Sequence, residues 1–128
     1  MGKQTLVVDD NELTGRLVCV FLKRLGWQPR LVSTGQQALD ILAQEPMDMV
    51  LLDLRMPGMS GERVCRCIRD DMGLVHLPVV AFTAHSMPEE KARLLSAGFD
   101  DVLIKPISFQ DVRRLCASRG KTPVAACA

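Results

Sequence analysis

Met49-Val50-Leu51-Leu52-Asp53-Leu54-Arg55-Met56-Pro57-Gly58-Met59-Ser60-Gly61 is the stretch from which the fold can be read. A short apolar run closes on a carboxylate and is then broken by Pro and Gly. That pattern reads as a buried strand ending at a loop. In open α/β sheets, ligands bind at the carboxyl ends of the strands, which is where Asp53 would stand. Three other runs have the same design. Thr5-Leu6-Val7-Val8 closes on Asp9 and Asp10, Val79-Val80-Ala81-Phe82 on Thr83, and Val102-Leu103-Ile104 on Lys105-Pro106. If these ends are neighbours, one crevice receives three carboxylates, a hydroxyl and an ammonium.

Between the runs, apolar residues recur at helical spacing. Alternating strands and amphipathic helices predict a parallel sheet covered on both faces. The first strand is read over Thr5–Asp9 and the first helix over Glu12–Leu25. That helix has Leu13, Leu17, Val18, Phe21, Leu22 and Leu25 on one face, Asn11 or Asp10 as cap and Gly26 as stop. A short second strand is read over Arg30–Val32, bounded by Pro29, and a second helix over Gln36–Gln44. The third strand is Met49–Asp53 and the third helix Gly61–Arg69. After the fourth strand, Val79–Phe82, the pattern Ser86-Met87-Pro88-Glu89 is a capping box that opens a fourth helix ending at Gly98. The fifth strand is Val102–Ile104. A fifth helix starts at Ser108-Phe109-Gln110-Asp111 and runs to about Ser118.

The 128 residues make one domain, read as residues 1–119 with a flexible tail over 120–128. A formal charge of +1 gives no electrostatic reason to expect nucleic acid or an anionic membrane as partner. No apolar run approaches the ~20 residues that span a bilayer, and no signal-peptide pattern opens the chain, so a cytoplasmic domain is expected. The five cysteines are odd in number and irregularly spaced, which reads as reduced thiols rather than a disulfide framework. Cys65 and Cys67 are too close for the usual metal or redox spacing and point apart on a helix, so they read as core-filling thiols.

Three carboxylates within a few ångströms repel, and they either shift a pKa or hold a cation. An all-oxygen set favours a hard ion, Mg²⁺ first, which bridges carboxylate to phosphate. Lys105 adds a point charge suited to phosphate and Thr83 a hydroxyl for a phosphoryl oxygen. The reaction that fits is attack by the Asp53 carboxylate on phosphorus. Each residue also has a plainer reading. A single Asp at position 9 or 10 would merely cap a helix, and Thr83 alone would be a helix-approach hydroxyl. His85 reads as a solvated loop side chain, Met47, Met56 and Met59 as gap fillers, and Arg66 and Arg69 with Asp70 and Asp71 as a solvated face.

The segments Val7-Val8-Asp9-Asp10-Asn11, Leu51 to Gly61, Phe82-Thr83-Ala84, Ala97-Gly98-Phe99-Asp100-Asp101 and Ile104-Lys105-Pro106 together resemble the receiver domain of response regulators in two-component signalling, the CheY-like superfamily. The resemblance runs in order from residue ~4 to ~118. It implies a flavodoxin-like, doubly wound, five-stranded parallel sheet in the order 2-1-3-4-5 with five helices. It implies Asp53 as phosphoacceptor, and Mg²⁺ held by Asp10, Asp53 and the backbone carbonyl of Arg55, with Asp9 acting mainly through water. It further implies Thr83 and Lys105 on the phosphoryl group, a cis Lys105-Pro106 bond, and a switching surface formed by the fourth helix, fifth strand and fifth helix. Arg55 and His85 stand where the family tunes access of water to the aspartyl phosphate. One position departs: three residues before Lys105, where an aromatic that swings with Thr is common, this chain has Val102, and Phe99 is out of register.

The Asp9-Asp10-Asn11 run and the lack of an output domain favour the receiver of a hybrid histidine kinase, with a histidine kinase or histidine phosphotransfer domain as partner. Such a receiver would be a monomer or weak dimer, without nucleic acid or direct membrane contact, and not an enzyme beyond autophosphorylation and autodephosphorylation. The alternatives are a free-standing single-domain regulator, a degenerate receiver serving only as an interaction surface, and a haloacid-dehalogenase-like phosphatase. That enzyme needs a second Asp two residues after the first, and Arg55 stands there. A nucleotide-binding domain would need a glycine-rich phosphate loop after the first strand, and none is present.

Overall fold

The computed structural model of the chain describes residues 3–84 and 87–120. The strands are β1 (Gln4–Val8), β2 (Gln28–Val32), β3 (Met49–Asp53), β4 (Val79–Thr83) and β5 (Asp101–Ile104). The helices are α1 (Glu12–Arg24), α2 (Gly35–Gln44), α3 (Gly61–Arg66), α4 (Pro88–Ser96) and α5 (Phe109–Gly120). The five strands form one sheet in the order β2-β1-β3-β4-β5, and every neighbouring pair is parallel. This is the expected topology.

Strand side chains alternate between two apolar layers. Leu6, Val50, Leu52 and Ala81 face the layer of α2, α3 and α4, whereas Val7, Leu51, Val80 and Phe82 face that of α1 and α5. Burial on both faces is why the central strands read as unbroken apolar runs. β3 and β4 are buried at every position, their terminal Asp53 and Thr83 included.

Several local expectations are corrected. β2 begins at Gln28, so Pro29 lies inside the strand rather than at its boundary. β2 is an edge strand, where a proline lacking its N–H is tolerated. On α1 the buried line is Gly15, Val18 and Leu22, while Leu13 is 82% and Leu17 48% exposed. A Cβ at Gly15 would lie 2.6 Å from a Leu31 methyl, so this missing side chain lets the helix settle on β2. Leu13, Leu17 and Val20 are left outside. α2 starts one residue earlier than expected, behind a Thr34–Gln37 capping box.

The third helix does not stay regular to Arg69. After Arg66 it widens into a π-helical segment, Cys67–Asp71, with the Met72 N–H reaching back to the Cys67 carbonyl at 2.9 Å. Arg69 is not on a solvated face. Its side chain is 13% exposed and donates to the carbonyls of Leu74 and Leu77 (both 2.7 Å), to that of Gly98 (2.8 and 3.0 Å) and to the Asp100 carboxylate (2.8 Å). Asp100 also accepts from the Val79 N–H at 2.8 Å, so one guanidinium ties together the approaches to β4 and β5.

α4 starts at Pro88 behind Met87, whose side chain makes no capping bond, so the helix begins later than the Ser86 box predicts. Ser86 itself lies outside the described residues. α5 does carry its expected cap: Ser108 Oγ accepts from the Asp111 N–H and the Asp111 carboxylate from the Ser108 N–H, both at 3.1 Å. It continues to Gly120, and the rest of the expected tail lies outside the described residues. Cys65 and Cys116 are buried, Cys19 and Cys67 only partly, and all four are free thiols.

Candidate functional site

Strand register sets the rim of the sheet. Val8 pairs with Leu52, Asp53 with Phe82 and Thr83 with Ile104. Each successive chain therefore reaches its polar residue at nearly the same level. Asp9 follows Val8 beside Asp53, and Lys105 follows Ile104 beside the end of β4.

Asp9 is anchored by its own N–H, which donates to the Val32 carbonyl at 3.1 Å. Its Oδ1 accepts the Asn11 N–H at 2.9 Å, and Asn11 Oδ1 caps α1 through the Thr14 N–H at 3.1 Å. Asn11 is thus the cap, and Asp10 is left exposed at the rim. Asp53 Oδ1 accepts the Arg55 N–H at 3.1 Å, an Asx-type turn that folds the following loop back over the carboxylate. Lys105 Nζ lies 3.4 Å from Asp53 Oδ1 and 3.9 Å from Asp9 Oδ2. The Lys105 N–H donates to the Thr83 carbonyl at 2.8 Å, and the Lys105-Pro106 bond is cis, as expected.

Gly61 lets α3 start against the site. A Cβ there would fall 2.5 Å from the Asp53 carbonyl oxygen, inside any tolerable contact. Ser60 caps this helix by accepting the Arg63 N–H at 3.2 Å.

Ligand oxygens of Asp9, Asp10 and Asp53 all lie within 4.8 Å of one another, and among the described residues this is the one such acidic group. Asp9 is 1% exposed, and its Oδ2 is buried without a hydrogen-bond donor. Burial pushes its carboxyl up to about 6, opposed by the Asn11 N–H, reinforced by the neighbouring Asp53 carboxylate and eased by Lys105. One ammonium, that of Lys105, stands against three carboxylates, so the site has room for further positive charge.

A cleft of about 190 Å³ opens on the other side of Asp53, lined by Arg55, Thr83, Ala84 and Lys105 and also by Glu62 and Glu90. Neither glutamate carries a role in the sequence reading. Helices that follow β3 and β4 begin at the site, so the charged residues of their first turns face it, and that is the signal that points to them. Arg93 of α4 pairs with both, with Glu90 at 2.7 Å. Val102 is buried beneath α4 with Leu94 and Phe99. His85 lies outside the described residues.

The family model for the response regulator receiver domain matches residues 5–117. The chain belongs to the response regulator receiver domain family. A receiver domain is the phosphoacceptor module of two-component signalling. Over 115 residues this one is 42% identical to the sensor histidine kinase GacS of Pseudomonas protegens, covering 88% of the chain and 12% of the kinase. It is 36% identical over 115 residues to the signal transduction histidine-protein kinase BarA of Escherichia coli, covering 90% of the chain and 12% of that protein. The chain thus spans about an eighth of these curated relatives, and the receiver domain matches those of hybrid kinases. A solved receiver domain of the sensor histidine kinase PA1611 from Pseudomonas aeruginosa, described with a magnesium ion in its active-site cleft, superposes with a TM-score of 0.83 at 29% identity. That likeness covers 94% of this chain and all of the other. The CheY4 chemotaxis protein of Vibrio cholerae, 22% identical, shares the fold with a TM-score of 0.85, covering 92% of this chain and 98% of the other.

Proposed function

We propose that Asp53 is the phosphoacceptor of this receiver domain and takes its phosphoryl group from a phosphohistidine. The observation that carries this reading is the placement of the Asp53 carboxylate, 4% exposed, between two further carboxylates and the Lys105 ammonium. One Asp53 oxygen attacks phosphorus as the bond from phosphorus to the histidine nitrogen breaks. The electron pair leaves with that nitrogen, and the product is an acyl phosphate. Lys105 and the Thr83 hydroxyl receive the phosphoryl oxygens, and the Arg55 N–H holds Asp53 in its attacking orientation.

The residues fit a divalent cation: Asp9 Oδ2 is buried with no hydrogen-bond donor, only the Lys105 ammonium at 3.9 Å, in an all-oxygen set. Asp10, Asp53 and the Arg55 carbonyl would hold Mg²⁺, with Asp9 acting mainly through water. When bound, Mg²⁺ neutralises the carboxylates and the charge on the transferred group.

The partner is a histidine kinase or histidine phosphotransfer domain, and the reading places the domain in the cytoplasmic part of a hybrid kinase. It turns over no substrate beyond its own phosphorylation and dephosphorylation, works as a monomer or weak dimer, and contacts neither nucleic acid nor membrane. Among the described residues no helix is long and apolar enough to cross a bilayer. The output is a change of the α4–β5–α5 surface.

Acetyl phosphate with Mg²⁺ should add the mass of one phosphate to the intact protein, and Asp53→Asn should abolish that addition. Labelling that persists in the variant would assign the acceptor to another residue.

A further inference from the structure

α4 is held unevenly along its length. From Pro88 to Arg93 no residue is buried, and the preceding Met87 makes no side-chain capping bond. Polar contacts at this end include the ion pair from Arg93 to Glu62 of α3, made by side chains 49% and 36% exposed. A pair so open to water holds a helix weakly. The other end is different. Leu94 is fully buried, and Phe99, just past the helix, is 3% exposed. The chain turns out of the helix at Gly98, whose φ is +113°. The N–H groups of Gly98 and Phe99 return to the carbonyls of Leu95 and Leu94, both at 3.2 Å.

A guanidinium from the π-helical segment closes on this turn. Arg69 Nε and Nη2 donate to the Gly98 carbonyl at 3.0 and 2.8 Å. Nη1 donates to the Leu74 and Leu77 carbonyls ahead of β4, and Nη2 reaches the Asp100 carboxylate ahead of β5. Packing at the contact is close, since a Cβ on Gly98 would lie 3.3 Å from Arg69 Cγ. The Arg69 side chain is 13% exposed, so water competes little for these bonds. A cation at a helix C-terminus also complements the dipole. The end of α4 is thus bonded into the frame of the sheet, while its first turn, at the cleft beside Asp53, is largely exposed.

We propose that Arg69 is the pivot of the switch: a positioning residue that fixes the C-terminal end of α4, so that phosphorylation swings the helix from its first turn and does not displace it whole. The inference rests on Asp53 being the acceptor and on α4 belonging to the output surface. A rod turning about Gly98 moves each residue in proportion to its distance from that point. At 1.5 Å per residue, Glu90 stands about 12 Å from the pivot and Ser96 about 3 Å, so Glu90 moves roughly four times as far.

The test compares amide signals of the full chain with and without acetyl phosphate in Mg²⁺, with intact mass reporting the phosphate gained. In that transfer the Asp53 oxygen bonds to phosphorus, the bond from phosphorus to the acetate oxygen breaks, and acetate leaves with the electron pair. In the wild type, shift changes should be largest at Glu89 to Lys91 and shrink several-fold toward Ser96 to Gly98. In Arg69→Met, the difference between the phosphorylated and unphosphorylated variant should spread into Ala97, Gly98 and Phe99 and lose its gradient, with labelling of Asp53 retained. Ile68→Val loosens the buried core beside Arg69 but leaves the bonds to the Gly98 carbonyl in place, so it should keep the gradient. That comparison separates a pivot from general destabilisation. A uniform change along α4 in the wild type, or α4 signals that stay still while Asp53 is labelled, overturns the inference whether or not Arg69→Met folds. So does a gradient that survives in folded Arg69→Met, or one lost equally in Ile68→Val. Labelling that survives Asp53→Asn instead overturns the acceptor assignment, and this inference with it.

Discussion

Asp9 keeps Oδ2 buried with no donor, and burial raises its carboxyl from 3.8 to about 6. A carboxyl raised on folding binds its proton more tightly in the native state than in the unfolded chain. Its contribution is therefore fully present below the unfolded value and is lost as pH rises from about 4 through about 6. At 1.36 kcal/mol per unit, this residue costs the metal-free protein up to about 3 kcal/mol near neutrality. Urea unfolding in a chelator should show stability falling over that interval. Mg²⁺ should offset the loss, adding roughly 2.7 kcal/mol at a hundredfold excess over its dissociation constant. A rise in stability over the same interval, or indifference to Mg²⁺, would contradict this account of Asp9.

At the scale of elements, the π-helical segment after α3 and the loop before β4 depend on Arg69. Replacing it with Leu removes one partner of the Asp100 carboxylate and a donor from the carbonyls of Leu74, Leu77 and Gly98. Asp100 is 38% exposed and keeps the Val79 N–H, so the cost comes mainly from part-buried carbonyls that lose their donor, about 1–3 kcal/mol. Thermal or urea unfolding of Arg69→Leu should show a loss of that order, whereas Arg66→Leu, at an exposed position, should lose little. Arg69 was not legible because its partners lie as far away as residue 100, and a basic residue amid Asp70 and Asp71 looks solvated in sequence. The strands and their polar ends were legible, since burial on both faces leaves unbroken apolar runs and the site begins where those runs stop. The Thr34–Gln37 box is local chemistry too, yet a helix read from Gln36 passes over it. The inward face of α1 was hidden because its contact with Leu31 is made by a glycine, and apolar counting favours Leu13 and Leu17 over an absent side chain. Asp9, Asp10 and Asp53 could be named from sequence, but the ion pairs from Arg93 to Glu62 and Glu90 could not, because nothing local records which helix turns meet.

Over the whole molecule, the proposed route from Asp53 to the α4–β5–α5 surface runs through β4 and Thr83 at its end. α4 buries only Leu94 fully, so it is the helix most easily biased. Val102 is already packed beneath it and, being β-branched, has little rotamer freedom. Phosphorylation, or a phosphate mimic, should shift amide signals mainly over Thr83 to Ala92 and near Lys105 and move the Val102 methyls little. Thr83→Ala should erase that pattern. A full rotamer change at Val102, or shifts that survive Thr83→Ala, would refute this route.

Parallel strand direction has a consequence for tethering. Every strand runs toward the carboxylates, so β1 enters at the opposite end of the sheet. α5 leaves the Lys105 end and runs back for 12 residues, about 18 Å, close to the full length of a five-residue strand. The entry to β1 and the exit of α5 therefore lie together on the side away from Asp53. A longer polypeptide continued from either point would hold the domain by its base, with Asp53, the proposed acceptor, facing outward. Linker length then sets the reach of Asp53 toward a donor without any linker crossing the site.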